Sequence, residues 1–295
     1  RLASLGLPVA DLTCGIGGDL AAVAARGART IGIERERATA LLAAANVSRA
    51  TLLQADARFP PVDLGRFAII LDPSRRQEGR RRFDPAAFSP AWDEALSLVA
   101  QAPAGVLKAP PGIDAAHIPP QAEVEFVQYG RSLREAALWF GAGAVPGLRR
   151  AVLMPIGAEL DSTAPQAPDA PVPPGPYLFD PESCVTRAGL VLHLAHRLGA
   201  RLLDPSVAYL TGPGPAADPL CATFALLDAV PFSVARLKAR LKEGQWRADE
   251  IRRRAFPIEP DELRALLGRP DGDPVTLLCT TIAGKRVVFI ARRLP

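Results

Sequence analysis

A predicted strand that runs into a glycine-rich turn and then into a helix is the strongest local signal for chemistry in this sequence. The segment VADLTCGIGGDLAAVA contains Gly15, Gly17 and Gly18, which let the backbone bend tightly and let a ligand approach it closely. Doubly wound parallel sheets bind ligands at the carboxyl ends of their strands, and this turn follows the first strand. Because Leu20 stands where a dinucleotide motif needs its third glycine, the turn favours another kind of ligand.

Acidic residues end the next two predicted strands and indicate a ligand that contains a nucleoside. Glu34 lies roughly 20 residues beyond the turn, where a carboxylate can accept hydrogen bonds from both ribose hydroxyls. Asp56 ends the third strand, and its carboxylate or the backbone amide of Ala57 could recognise an adenine ring. An acidic residue followed by a GxG turn fits the amino acid half of S-adenosylmethionine. The residues that we expect to bind this cofactor are Asp11, Cys14, Gly15, Gly17, Glu34, Asp56, Ala57 and Asp72.

The fourth predicted strand ends in LDPSRR, and its aspartate is a candidate for orienting a methyl acceptor. The Asp72 carboxylate can accept a hydrogen bond from an exocyclic amine and so direct the nitrogen lone pair toward the methyl group. Such help is mostly positional, since holding two reactants in near-attack geometry lowers the barrier by several kcal/mol. The sequence therefore predicts that this strand end lies at the acceptor side of the site.

Arginines follow this strand end directly and predict contacts with a polyanion. We expect these side chains to lie at the mouth of the site, where they could contact the phosphates of a nucleic acid. A second basic stretch covers residues 236–254, in which Lys238 and Lys242 are expected on one flank of a helix. Trp246 beside it could offer a stacking surface or could belong to the core. The arginines predicted to bind substrate are Arg75, Arg76, Arg80, Arg81 and Arg82.

Short apolar runs alternate with helix-forming segments in the first half of the chain, which predicts a parallel sheet with crossover helices. Strands are expected at 8–13, 29–34, 51–56, 67–72 and 104–109, and helices at 18–27 and 37–47. The following segments predict a strand at 122–130, a helix at 133–141 and a strand at 149–157. The predicted fold class is α/β, a doubly wound Rossmann-like sheet.

A stretch rich in proline and alanine separates this half from a second, smaller α+β domain. In that domain we expect an amphipathic helix at 181–200 and a strand at 222–230. Helices are expected at 233–244 and 259–269, and a hairpin at 274–294 that turns at Ala283 and Gly284. The predicted boundaries are residues 1–158 for the first domain, 159–176 for the linker and 177–295 for the second domain.

Residues 8–157 resemble a class I S-adenosylmethionine-dependent methyltransferase. Within that superfamily, DLTCGIGGD and LDPSRR resemble bacterial methyltransferases with a THUMP-like C-terminal domain, which are relatives of the trimethylguanosine synthases. The segments VEFVQYGRSLREAALW and YLFDPESCVTRAGLVLHLAHRLGARLLDPSVAYLTG extend the resemblance over nearly the whole chain. It implies a THUMP-like domain at 177–295 that helps to hold RNA.

The strand-end motif departs from the pattern of amino-methylating members of this superfamily, which carry Asp or Asn, two prolines and an aromatic residue. Ser74 replaces the second proline, and Arg75 stands where a ring would stack on the target base. An arginine guanidinium can also stack on a base and contact phosphate, so the change remains compatible with nucleic acid. The resemblance implies that the catalytic candidates are Asp72, Pro73 and Ser74.

Lys108, on the fifth predicted strand, is a further catalytic candidate. Together with Asp72 and Glu135 it resembles three of the four residues that ribose 2′-hydroxyl methyltransferases use, among which a lysine lowers the pKa of the hydroxyl. A hydroxyl needs help with deprotonation that an amine does not need. The remaining lysine of that set normally precedes the first strand. Ribose methylation is therefore the less favoured chemistry.

Length and composition bound these expectations. A chain of 295 residues with 48% hydrophobic and 22% charged residues can fill the cores of two domains and is not wholly disordered. No apolar run reaches the roughly 18 residues of a membrane span, and no leader follows Arg1, so we expect a soluble, cytoplasmic protein. The four cysteines lie far apart, which predicts reduced thiols. His193 and His196 have no acidic or thiol neighbour at ligand spacing, so no metal is predicted.

The sequence thus predicts an S-adenosylmethionine-dependent methyltransferase that acts on RNA, with a base amine favoured as the acceptor. An alternative is a catalytically inactive RNA-binding module that depends on the same cofactor, because LDPSRR is an imperfect motif. A methyltransferase acting on DNA or protein is a further alternative, since it would keep the same cofactor site. The excess of basic residues is small, with a net charge of +4. It favours nucleic acid only because the basic residues are concentrated at 75–82 and 236–254.

Overall fold

The computed structural model describes residues 1–74, 76–77, 80–81, 88–268 and 271–295. The chain forms two compact units, Arg1–Arg150 and Ala151–Pro295. Two units agree in number with the two domains expected from the sequence. The finer division, with the first domain ending at 158 and a linker over 159–176, stays a prediction.

Parallel strands form the centre of the sheet in the first unit, as the alternation of apolar runs and helix-forming segments predicts. These strands are β1 Val9–Asp11, β2 Thr30–Glu34, β3 Thr51–Gln54, β4 Ala68–Leu71 and β7 Ala104–Ala109, and two short strands, β5 Arg76–Gln77 and β6 Arg80–Arg81, pair with each other. Strand β1 pairs in parallel with β2 on one side and with β4 on the other, since Val9 lies opposite both Thr30 and Ala68. Strand β3 extends the sheet beyond β2, and β7 extends it beyond β4.

Helices cover this sheet and build its core. They are α1 Gly18–Ala24, α2 Arg37–Asn46 and α3 Trp92–Ala100. Buried side chains of the first two helices pack together beside the glycine-rich turn, where Leu20, Ala43 and Val47 surround the Cys14 thiol. Trp92 anchors the third helix through a hydrogen bond from its indole nitrogen to the His117 carbonyl and through an edge contact with Phe88. The predicted helices at 18–27 and 37–47 are confirmed.

The segment at 133–141 is a strand, so the helix predicted there is wrong. Strand β8 Glu123–Tyr129 is followed by β9 Ser132–Gly141, and β9 lies between β7 and β8 with antiparallel pairing on both sides. Its alanines, leucine and glutamate favour a helix in isolation. Tertiary pairing overrides that preference, because both edges of β9 find hydrogen-bonding partners and Leu138 becomes fully buried.

The hydrogen-bonded order of these strands is β8-β9-β7-β4-β1-β2-β3. The order reverses between β1 and β4, because β2 and β3 continue to one side of β1 while β4 and β7 continue to the other. The loops that follow the carboxyl ends of β1 and β4 therefore run in opposite directions, and a crevice opens between them. Short 3-10 helices at Leu2–Leu5, Leu64–Arg66 and Ala115–His117 connect the longer elements.

The second unit is built on a largely antiparallel sheet with helices. Its hydrogen-bonded order is β13-β14-β12-β15-β18-β17-β16, and β10 Arg149–Met154 and β11 Ala158–Asp161 precede it along the chain. Its strands are β12 Tyr177–Pro181, β13 Arg201–Asp204, β14 Val207–Gly212, β15 Cys221–Pro231, β16 Trp246–Arg254, β17 Asp273–Ile282 and β18 Lys285–Arg293. The predicted strand at 222–230 and the hairpin that turns at Ala283 and Gly284 are confirmed.

Helices of the second unit are α4 Ser183–Arg187, α5 Val191–Leu198, α6 Val234–Glu243 and α7 Pro260–Leu267. The last two confirm the helices predicted at 233–244 and 259–269, and both bury leucines in one core cluster. The prediction of a single helix over 181–200 is wrong. Gly189 adopts a positive φ of 67° and separates two shorter helices there. Within the described residues, no helix has the length and the apolar character that crossing a membrane requires.

We expect Leu138→Ala to destabilise the first unit by about 3 kcal/mol, because it removes a fully buried side chain from the strand that joins β7 to β8. Urea denaturation would measure the change. Leu41→Ala is the matched control, since that side chain is 64% exposed on α2, and it should change stability by less than about 0.5 kcal/mol. Equal losses from the two variants would contradict the buried position of Leu138.

Candidate functional site

The glycine-rich turn between β1 and α1 adopts backbone angles that glycine tolerates best. Gly15 has φ 53° and Gly17 has φ 90°, and the Gly17 amide donates to the Cys14 carbonyl at 2.8 Å. A Cβ at Gly17 would lie 2.7 Å from Cγ2 of Val47, whereas a Cβ at Gly15 would meet no atom within 4 Å. The turn thus packs closely against α2 at one glycine and leaves open space at the other.

Glu34, at the end of β2, is held in place by backbone amides on both of its carboxylate oxygens. Gly15 donates to its Oε2 at 3.1 Å, and Glu36 donates to its Oε1 at 2.8 Å. One carboxylate therefore ties the glycine-rich turn to the end of the neighbouring strand. Each of its oxygens keeps a further lone pair with which it can accept a hydrogen bond from a ligand hydroxyl.

Asp56 follows β3 and forms an ion pair with Arg58. The guanidinium donates from Nη2 to Oδ2 at 2.7 Å and from Nε to Oδ1 at 3.1 Å, and the Arg58 amide donates to Oδ1 at 2.9 Å. These hydrogen bonds lower the pKa of Asp56 to about 2. The carboxylate is therefore ionised at neutral pH and has a fixed orientation. Arg58 was not singled out from the sequence, and its position two residues after an acidic strand end is the signal that could have found it.

Asp72 directly follows β4, and its backbone is fixed by a residue of the glycine-rich turn. Its amide donates to Oγ1 of Thr13 at 2.7 Å, a hydrogen bond that joins residues 59 positions apart in the sequence. Ser74 is held in turn by two backbone hydrogen bonds with Ser89, at 2.9 and 3.0 Å. Sequence reasoning missed Thr13, although its hydroxyl stands directly beside the cysteine of the DLTCGIGG motif.

The carboxyl ends of these strands meet around a cavity of about 300 Å³. It lies where the strand order reverses, and its lining comes from four different strand ends. Among the predicted residues, those that line it are Gly15, Glu34, Asp56, Ala57, Asp72 and Ser74. A larger depression of about 730 Å³ lies at the opposite, amino ends of these strands, beside Pro8 and Phe67. None of the predicted site residues lines it.

Asp11, Cys14 and Gly17 do not line this cavity. Asp11 is 2% exposed at the end of β1 and accepts a hydrogen bond from the Thr13 amide at 3.2 Å. Burial raises the pKa of Asp11 to about 7, against the opposing effect of that hydrogen bond. Burial likewise raises the pKa of the Cys14 thiol to about 12, so this cysteine is not a nucleophile at neutral pH.

Lys108 lies among three carboxylates near the end of β7. Its Nζ is 3.0 Å from Asp19, 3.1 Å from Glu135 and 3.8 Å from Asp72. Burial lowers the pKa of Lys108, but these carboxylates outweigh burial and hold it above its usual value. The three residues that the sequence grouped, Lys108, Asp72 and Glu135, are therefore brought together. Asp19, in the first turn of α1, is an additional partner that sequence reasoning missed.

Of the five arginines predicted to bind substrate, the structure describes Arg76, Arg80 and Arg81. Arg75 and Arg82 lie outside the described residues. The backbone of Arg76 belongs to β5, and that of Arg80 and Arg81 belongs to β6. These two strands follow Ser74 directly, on the carboxyl side of β4.

Many basic side chains of residues 236–254 form ion pairs within the second unit. Arg252 and Arg254 both donate to Asp180 at 2.7 Å, Arg240 pairs with Asp228, and Arg253 pairs with Glu259. The Arg240 guanidinium also lies 5.2 Å from the Trp246 ring, which packs against the core. Exposed residues of α6 for which no ion pair is found in the described part of the chain are Arg236, Lys238 and Lys242.

The second unit matches a known family, and the whole chain matches curated relatives. Residues 222–293 match the family model described as THUMP domain-like. Two relatives from Mycobacterium tuberculosis, strains CDC 1551 / Oshkosh and ATCC 25618 / H37Rv, are each 33% identical over 286 residues. The alignment covers 94% of this chain and 78% of each relative. Both relatives are named as uncharacterized S-adenosylmethionine-dependent methyltransferases.

The fold matches a solved structure over nearly its full length. A crystal structure from Porphyromonas gingivalis W83, of a protein assigned as a methyltransferase, aligns with a TM-score of 0.79 and 25% identity. The match covers 98% of this chain and 78% of that chain. These findings confirm the Rossmann-like fold with a second, smaller domain, and they confirm S-adenosylmethionine as the cofactor.

We expect Gly17→Ala to weaken S-adenosylmethionine binding more than tenfold. The added methyl group would lie 2.7 Å from Val47 at a φ of 90°, so the turn between β1 and α1 must shift. Isothermal titration calorimetry would measure the dissociation constant. Gly18→Ala is the matched control, because its Cβ would meet no atom within 4 Å and its φ is not positive. Unchanged affinity in the Gly17 variant would remove this turn from the cofactor site.

We expect the affinity for S-adenosylmethionine to rise with pH between 6 and 7.5. Ionised Asp11 attracts a cationic ligand, and with a pKa of about 7 its ionised fraction grows about eightfold over this interval. Because the pKa of Asp11 is higher in the folded protein than in the unfolded chain, the free energy of unfolding also falls as pH rises from about 4 toward 7. Dissociation constants at pH 6.0, 6.5, 7.0 and 7.5 would test the trend. Asp11→Asn should flatten it, and an equal slope in that variant would contradict the role of Asp11.

Proposed function

This chain belongs to the family of S-adenosylmethionine-dependent methyltransferases, and we propose that it methylates RNA, with an exocyclic base amine as the acceptor. The observation that carries the proposal is the cavity at the reversal of strand order, which Glu34, Asp56 and Asp72 line from three strand ends. Glu34 and Asp56 would hold the nucleoside part of the cofactor, and Asp72 would hold the acceptor beside it. The acceptor would then approach over the ends of β4 and β7.

The residues around the cavity fit a nucleoside cofactor. Gly15 supplies open space beside the turn, since a Cβ there would meet no atom within 4 Å. We assign the ribose hydroxyls to the Glu34 carboxylate, and the adenine ring to Asp56 and the backbone amide of Ala57. Buried Asp11 would supply negative charge beneath the turn. When bound, S-adenosylmethionine supplies an electrophilic methyl group on a positively charged sulfur.

Asp72 orients the acceptor in this proposal. Its carboxylate is 46% exposed and can accept a hydrogen bond from an amine N–H, which directs the nitrogen lone pair away from the carboxylate and toward the methyl group. The hydrogen bond from its amide to Thr13 limits the movement of the strand end. Pro73 and the pairing of Ser74 with Ser89 limit the movement of the next residues. Because the carboxylate is open to solvent, it can pass the amine proton to water after methyl transfer.

RNA as the acceptor is supported by the second unit. Residues 222–293 match the THUMP domain-like family, and we infer that this unit contributes to holding RNA. The α6 helix supports the inference, because Lys238 and Lys242 are exposed one helical turn apart and Arg236 is exposed beside its start. Cations spaced along one surface contact phosphates without reading the base sequence.

Ribose 2′-hydroxyl methylation is a second candidate, and the position of Lys108 favours it. The ammonium lies 3.8 Å from Asp72 and 3.1 Å from Glu135, so these groups could surround one acceptor hydroxyl. Because the surrounding carboxylates hold the pKa of Lys108 above its usual value, the lysine would stabilise a developing alkoxide as a cation and would not remove the proton itself.

We expect transfer of labelled methyl from S-adenosylmethionine to bacterial RNA, and a loss of about 100-fold or more in kcat for Asp72→Ala with unchanged cofactor affinity. Scintillation counting on RNA, DNA and protein pools would measure the acceptor class. Asp93→Ala is the control, because that aspartate is exposed on α3. Nucleoside analysis of the labelled RNA would separate a methylated base from a 2′-O-methyl ribose. Label in DNA or protein alone would overturn the RNA proposal.

A further inference from the structure

The hairpin between β8 and β9 projects from the acceptor side of the sheet. Its two strands pair with Val127 opposite Glu135 and with Tyr129 opposite Ser132, while Lys108 on β7 lies opposite Ala137. Because β9 is antiparallel to both neighbours, β8 runs in the same direction as β7. The tip of the hairpin therefore lies on the same side as the carboxyl end of β7, which carries Lys108, and it extends beyond the level of Glu135.

Tyr129 is the large exposed side chain at this tip. It is 54% exposed, although an aromatic ring loses favourable burial when it faces water. The Arg134 guanidinium lies 6.0 Å from the ring centroid, within the range of a cation–π contact. One side of the ring is thus supported by a cation, and a large part of its surface stays open to a ligand. This combination of an aromatic face and a cation is typical of surfaces that bind single-stranded nucleic acid.

Arg134 adds positive charge beside this ring. It is exposed, and no ion pair is found for it in the described part of the chain. The neighbouring Glu135 is engaged by Lys108 at 3.1 Å, so this carboxylate is partly neutralised by another cation. A phosphate next to a base stacked on Tyr129 could therefore pair with the Arg134 guanidinium.

We infer that Tyr129 is a stacking platform for an unpaired base of the RNA substrate, one that flanks the methylated nucleotide. The inference rests on the proposed function, because it requires RNA at the acceptor side. Strand spacing and rise place Tyr129 on the order of 20 Å from Asp72, which a few nucleotides of single-stranded RNA can span. Tyr129 thus supplies an aromatic surface to a site whose DPSRR strand end has no aromatic residue of its own.

Phe59 provides a comparison within the same unit. It is 77% exposed, and the Arg58 guanidinium lies 5.8 Å from its ring, so its surroundings resemble those of Tyr129. It follows Asp56, however, and so lies at the end of β3, on the side that we assign to the cofactor. RNA that approaches over β4 and β7 would reach the ring of Tyr129 and leave that of Phe59 uncovered.

The test compares Tyr129→Ala, Tyr129→Phe and Phe59→Ala in the full chain. Fluorescence anisotropy with labelled 20-nucleotide oligoadenylate and oligouridylate would measure RNA affinity, and calorimetry would measure S-adenosylmethionine affinity. We expect Tyr129→Ala to weaken oligoadenylate binding about tenfold and oligouridylate binding less, because purines stack more strongly. Tyr129→Phe and Phe59→Ala should stay within about twofold of the unchanged protein. Cofactor affinity should not change in the Tyr129 variants, which also shows that they are folded.

Oligoadenylate affinity within twofold of the unchanged protein in Tyr129→Ala would overturn the inference, as would an equal loss in Phe59→Ala. The proposed function would still stand in either case if the unchanged protein labels RNA. Absence of both oligonucleotide binding and RNA labelling in the unchanged protein would overturn the proposed function and this inference together. Labelling of RNA that falls in Tyr129→Ala at subsaturating RNA and recovers at saturating RNA would support a role in binding.

Discussion

The parallel pairing of β1 with both β2 and β4 is the constraint on which the site depends. Val9 lies opposite Thr30 and Ala68, so three strands that are separate in the sequence begin at the same level and run in the same direction. The loops that follow β1 and β4 leave in opposite directions, and the space between them becomes the crevice. A register shift of one residue would turn side chains to the other face of the sheet. Between β1 and β2 it would separate Glu34 from the glycine-rich turn, and between β1 and β4 it would separate Asp72 from Thr13.

Side chains in the crevice are held by local hydrogen bonds as well as by the sheet. Glu34 ties the turn to β2, Thr13 ties it to the residue after β4, and Arg58 holds Asp56 after β3. Each of these polar groups therefore has a defined position before a ligand arrives. Preorganisation of this kind reduces the free energy that binding must spend on ordering side chains.

The balance of charge differs between the two units. In the first unit, Lys108 is surrounded by Asp19, Asp72 and Glu135, so carboxylates outnumber cations at this point of the sheet. In the second unit, Asp180 binds two arginines of β16 at once, and the basic stretch of residues 236–254 is largely neutralised by internal pairs. Within residues 236–254, all of which the structure describes, the exposed cations without an ion pair are Arg236, Lys238 and Lys242 on α6. A count of basic residues along the chain therefore overstates the charge that this unit offers to RNA.

Local patterns in the sequence are sufficient to specify many elements of this fold. Apolar runs predicted the parallel strands, and glycines predicted the turn after β1. The strand ends predicted that Glu34, Asp56 and Asp72 lie at one cavity, whereas Asp11, Cys14 and Gly17 do not line it. The secondary structure of 133–141 depends on tertiary pairing, because this segment favours a helix in isolation and becomes a strand when β7 and β8 pair with its two edges. Tertiary structure also decided the partners of Asp72 and Lys108, since Thr13 and Asp19 reach them from 59 and 89 residues away. No local pattern reports such contacts, because they depend on how strands that are distant in the sequence are ordered within one sheet.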